Sequence, residues 1–199
     1  MLKSRKRKAA RTGFWRREDA SLTVEAVFIF PLVLWAFVAT ITFVNVFQTR
    51  ALAQKGNYAV ADLLSRETNA INQSYLNGIG EVYEYLTKSD TSAWIRVTPV
   101  RCQRRCNNME TRLLKRDWSR ATDGIPRLTN AEVDANYRDI IPEIPKGERV
   151  IMVETQMNYA PPFSSAFTIL STRTLQDISM TRPRFAPQLC WVGRRCGNT

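Results

Sequence analysis

The stretch AVFIFPLVLWAFVATITFVNVF, residues 26–47, decides how the rest of the chain is read. It carries no charge, and Thr40, Thr42 and Asn45 are its clearly polar members. As a helix it rises roughly 33 Å at about 1.5 Å per residue, enough for a hydrocarbon core of about 30 Å. A cleavable secretory signal has an apolar core of only about 7–15 residues, so this run is too long for one. It reads as a transmembrane helix.

The flanks orient it. Lys3, Arg5, Lys6, Arg7, Lys8, Arg11, Arg16 and Arg17 precede the run, whereas Arg50 and Lys55 are the nearest cations after it. The positive-inside rule then places a basic tail, residues 1–20, in the cytoplasm and sends residues beyond about 48 across the inner (plasma) membrane. A basic patch beside a span sets topology and touches anionic lipid, so no nucleic-acid partner is expected. The helical pattern continues beyond the run. QTRALAQKGNYAVADLLSRET (48–68) spaces Ala51, Leu52, Tyr58, Ala59 and Leu63 mostly by three and four, with Gly56 as an interruption. One helix over 21–68 is the simplest reading, kinked or loosened where Pro31 removes a backbone donor.

Residues 69–199 read as a small exported domain. A second helix is expected over 70–86, with Ile71, Tyr75, Ile79, Val82, Tyr83 and Leu86 on its inner side. AWIRVTPVRC (93–102) reads as a strand ending near Pro99, and TRLLKRDWSRATDG (111–124) as either a helix or a strand entering a turn. LTNAEVDANYRDII (128–141) contains a short helix capped by Thr129 or Asn130, and PEIPKGE is a turn. RVIMVETQMNYA (149–160) alternates as a strand with one apolar face, and TLQDISMTRPRF (174–185) supplies another strand. The expected fold is α+β: a long N-terminal helix, then helices and an antiparallel sheet.

The net charge of +11 is shared between a net +5 in residues 1–25 and +6 beyond them. The later arginines cluster at RCQRRC, TRLLKRDWSR and VGRRC, which reads as a solvated basic surface in preference to a dedicated site for an acidic partner. Cys102, Cys106, Cys190 and Cys196 lie in the exported part, where an even number in an oxidising compartment favours two disulfides. Their C-x3-C and C-x5-C spacings fit zinc poorly. Three pairings are open, and a bond between Cys102 and Cys106 would need a loop there. The chain has no histidine, no G-x-S-x-G and no phosphate-binding glycine loop, so neither enzyme activity, catalytic residues nor a cofactor is expected.

SLTVEAVFIFPLVLW (21–35), with Val24-Glu25 and Pro31 six residues later, resembles the N-terminal segment of TadE-like and TadG-like proteins. These are minor-pilin-like components of Flp (tight adherence) pilus assembly systems. DWSRATDG, VIMVETQMNYAPPF and ISMTRPR are similar to their exported part. The resemblance implies a pilin-like fold and a role in pilus assembly, adhesion and secretion, with pilin subunits and other assembly proteins as partners. It also implies a prepilin peptidase cutting between Ala20 and Ser21, which makes Glu25 the fifth mature residue, a residue of membrane retention and subunit contact. The chain departs from the pattern at Ala20, where glycine is usual, and at Ala26, where an aromatic often follows the glutamate; a resemblance to TadG-type members implies an uncut N-terminus. The alternative from another class is a membrane-anchored periplasmic binding module outside any pilus. A membrane-tethered hydrolase is a further rival, but no polar constellation in the sequence favours it.

Overall fold

The computed structural model describes residues 18–89, 93–163, 171–194 and 196, with the backbone alone for 18–22. It is α+β. Helix α1 runs unbroken over Glu18–Arg66, 49 residues and roughly 73 Å at about 1.5 Å per residue. Pro31 lies inside it. It removes the donor that would bond the Val27 carbonyl, and the helix continues past it. Gly56 is a contact point, not a break in the stripe. It is buried, and a Cβ there would lie 3.1 Å from the Thr87 methyl and from two ring carbons of Tyr83.

Both latter residues belong to α2 (Gln73–Thr87), which Asn72 opens by accepting from Tyr75 N at 2.8 Å, while Lys88 closes it in the left-handed region. Its buried face is Leu76, Ile79, Gly80, Tyr83 and Thr87. Tyr75, Val82 and Leu86, expected on the inner side, are exposed. The helix is rotated because its two small contact positions, Gly80 here and Gly56 on α1, let it approach its neighbours closely there.

The strands are β1 (Trp94–Arg104), β2 (Leu113–Arg116), β3 (Arg120–Ala121), β4 (Arg149–Tyr159) and β5 (Arg173–Thr181). All pair antiparallel in the order β2-β1-β4-β5, with β3 beside β2 on the same edge of β1. Residues 111–124 are therefore two short strands, not a helix. β1 runs past Pro99 because the proline sits between the segments paired to β3 and to β2, where no ladder donor is needed. Its carbonyl accepts from Asp117 N at 2.9 Å.

Helix α3 (Asn130–Asn136) has Thr129 as N-cap and a reciprocal capping box with Glu132. It contributes to a second layer. Ile95, Val97, Ile151 and Val153 pack on Val60, Leu64 and Tyr83; Val100, Val150 and Met152 pack on Leu128, Val133, Ile141 and Ile144 on the opposite face. The expectation of one apolar face on β4 is thus corrected: both faces are covered, because the α3 layer roofs the side that holds Glu154. That carboxylate is compensated by Arg96, whose Nε lies 2.7 Å from Oε2.

The chain end returns to the helices. Arg184 N donates to Ser65 O at 2.8 Å, Ile71 bridges Trp191, and Trp118 Nε1 donates to Leu189 O at 2.9 Å. The cysteines stand at bonding distance as two local pairs, Cys102–Cys106 and Cys190–Cys196. The first closes a tight loop after β1, in which Arg105 takes φ 54°.

Candidate functional site on the exposed half of the long helix

The helix divides by environment. Residues 23–37 are exposed without exception, Val27, Phe28, Phe30, Leu32 and Phe37 among them. From Val38 onward a sheltered stripe begins: Val38 is half-buried, Thr42 buried, Asn45 and Thr49 half-buried, and Ala53, Asn57, Val60 and Leu64 buried. Its spacing of three and four is that of one helix face. The opposite face stays apolar and open through Ile41, Phe43, Val44 and Phe47. The helix is long and apolar enough to span a membrane, and almost none of its apolar window is covered by the rest of the chain.

The polar residues of the apolar run are accounted for locally. Thr40 Oγ1 donates to Ala36 O at 2.8 Å, and Thr42 Oγ1 to Val38 O at 2.9 Å. Such back-bonding hides a hydroxyl from an apolar solvent. Asn45 Oδ1 accepts from Tyr159 Oη at 2.9 Å, so the last residue of β4 reaches down into the run itself. Farther along, Asn57 Nδ2 donates to Thr155 Oγ1 at 2.8 Å and to Asp177 O at 3.0 Å. These polar bonds fix the helix on the sheet in one register.

Glu25 sits at the start of the bare half and shares a shallow groove with Ala26, Ile29, Phe30 and Val33. The helix therefore presents its carboxylate on an apolar face, about two turns in from the helix start at Glu18. Ala20 and Ser21 lie in the first turn of α1, but their side chains fall outside the described residues. The four cysteines lie outside α1, Cys102 within β1, Cys106 in the loop after it, and Cys190 and Cys196 beyond β5.

The three arginine-rich clusters are divided: Arg104 and Arg105 stay exposed at the surface, as expected, while one member or more of each cluster is drawn into a common hollow. Arg101, Lys115, Arg116 and Arg194, drawn from all three, line one concavity together with Arg149. Sequence reading missed this because the segments are separated by tens of residues and meet only through strand pairing. Among the described residues no group of His, Cys, Asp and Glu side chains stands close enough to hold a metal ion. Comparison of the chain with protein-family models, with curated proteins and with solved structures returns no match.

Proposed function

We propose that this chain is a single-pass inner-membrane protein that takes part in assembling Flp-type pili. Its basic N-terminus lies in the cytoplasm and its sheet-bearing domain outside. The observation that carries the reading is the division of α1: one continuous helix is core for the sheet in its second half and bare, apolar and led by Glu25 in its first. A bare apolar helix needs lipid or the same helix of a neighbouring subunit around it, and a pilus component exchanges the first for the second. The TadE-like segment Val24-Glu25 with Pro31 supports the same reading.

Glu25 gives that exchange a chemical handle. An ionised side chain deep in a bilayer costs about 2.5–3.5 kcal/mol and less near the interface. Cleavage before Ser21 would free an α-amino group four residues away, which a neighbour's Glu25 pairs with when the helices pack. A paired carboxylate sets the axial register, and an unpaired one penalises misassembly. The test is Glu25→Gln in the host, scored by surface pili and by the amount of protein held in the membrane. Loss of pili at a normal membrane level is expected. Normal piliation overturns the pilus reading and leaves the membrane-anchored binding module. Intact mass and N-terminal sequencing of the membrane-purified protein decide whether the chain starts at Ser21 or at Met1.

A further inference from the structure

At the end of the sheet remote from the bare half of α1 lies a concavity of about 490 Å³. Among the described residues its cations are Arg101 of β1, Lys115 and Arg116 of β2, Arg149 of β4 and Arg194 of the chain end, and its one acidic residue is Asp117. Register explains the crowding. Arg101 stands directly opposite Lys115 in the β1–β2 pair and directly opposite Arg149 in the β1–β4 pair. Like charges facing across strands are destabilising. Asp117 relieves one part of this by bridging two guanidiniums, Arg149 Nε at 2.8 Å and Arg101 Nε at 3.3 Å.

The rest is left over. Among the described residues, Lys115, Arg116 and Arg194 form no ion pair, and the Nε of Arg116 is buried without an acceptor. Arg116 is held below the usual guanidinium range, first by burial and then by the neighbouring charges of Arg194 and Arg127. An ordinary basic surface spreads its charges into water; this one gathers five around a single carboxylate inside a hollow. Such a field attracts and concentrates anions.

The anion already seated in the hollow is a carboxylate: Asp117 lies between Arg101 and Arg149, one oxygen to each Nε. Guanidinium groups also match phosphate, so the carboxylate preference rests on that resident Asp117 and on the spread of the remaining cations. The free cations continue from it across β2 to the chain end, a spread that suits several carboxylates in a row. The ten residue steps from Arg149 to Tyr159, whose hydroxyl bonds Asn45 near the end of the apolar run, put the hollow roughly 33 Å from that contact. On the membrane reading above, that distance keeps lipid headgroups out of reach. We infer that this concavity is the docking site for an acidic segment of a partner polypeptide, whose carboxylates engage Lys115, Arg116 and Arg194 beside the Asp117 bridge.

The test uses the full-length protein in detergent micelles and fluorescein-labelled hexaglutamate, followed by anisotropy. Saturable binding that weakens with added salt is expected. Arg116→Gln and Arg194→Gln should each weaken it about tenfold, the loss of one charge-assisted contact. Arg194 is exposed, so its replacement leaves the core untouched and keeps the test valid if Arg116→Gln folds poorly. Arg173→Gln, at the opposite end of the sheet, should leave affinity unchanged. The inference fails if binding is not saturable, if Arg194→Gln binds as the parent does, or if Arg173→Gln weakens binding equally. It also fails if inorganic tripolyphosphate binds and hexaglutamate does not, which would make the ligand a phosphate. None of these outcomes depends on pilus formation, so the site and the pilus reading stand or fall separately.

Discussion

Glu154→Gln removes a charge from the middle of the sheet without changing its shape. Glu154 is 5% exposed and accepts three bonds: Arg96 Nε at 2.7 Å, Arg96 Nη2 at 2.8 Å and Tyr137 Oη at 2.6 Å. In the variant, the amide N–H₂ faces donors and the guanidinium of Arg96, itself 12% exposed, loses its counter-charge. Breaking one side of a buried pair costs about 3–5 kcal/mol, and the residual exposure of Arg96 sets the expectation at about 3. That lowers the folded-to-unfolded ratio by roughly a hundredfold. Guanidinium unfolding of the protein in micelles, followed by tryptophan fluorescence, measures it. Replacing both partners by methionine should recover at least half of the loss, because neither charge then remains buried. Tyr137 supplies a second readout. Its hydroxyl is pushed up to about 12 from 10.0, first by burial and then by the Glu154 carboxylate. The folded value lies above the ordinary one, so the contribution is complete below the ordinary value and is lost as pH climbs through the raised one. In Glu154→Gln, tyrosinate absorbance should show Tyr137 ionising at lower pH. A loss below about 1 kcal/mol, or a double-methionine variant as unstable as the single, would refute this account of the pair.

Gly56→Val should destabilise the domain by about 2 kcal/mol, since its Cβ enters a contact already filled by Tyr83 and Thr87. Gly56→Ala should cost less, because about 1 kcal/mol of helix propensity offsets the crowding; thermal melts of both variants compare the two. Replacing Cys190 and Cys196 by serine should cost about 2 kcal/mol for so short a loop. It should also loosen the chain end that covers Trp118, seen as a red shift and stronger quenching of tryptophan fluorescence.

What the sequence made legible was what depends on local periodicity. The uncharged run, the helix start at Thr129 or Asn130, which the structure resolves to Thr129, and the alternation of 149–160 each carry their cause within a few residues. What it hid depends on what lies across a contact. The roof over the Glu154 face comes from α3 and its flanking loops, and nothing in the alternation of β4 announces it. Pro99 signals a strand end by the loss of a donor, yet the donor was not needed in the gap between β2 and β3. Val82 and Leu86 lie outside while the less apolar Gly80 and Thr87 lie inside, so neither spacing nor hydrophobicity picked the buried face of α2. The gathering of Arg101, Lys115, Arg116, Arg149 and Arg194 is a matter of register, and residues 101, 115 and 149 become neighbours only once the strands are paired. The cysteine pairing waited on the turn at Arg105.

Because α1 has no joint between its bare and its buried halves, the domain is carried as the end of a lever and not on a tether. The end of the helix lies 30 residues beyond the middle of the apolar run, about 45 Å along the axis. Set in a bilayer at a tilt of about 20°, that arm displaces its far end sideways by roughly 15 Å. A thinner or thicker bilayer, or a neighbour pressing on the bare half, would therefore move the basic hollow through a wide arc, and the anchor would steer where the far end of the sheet points.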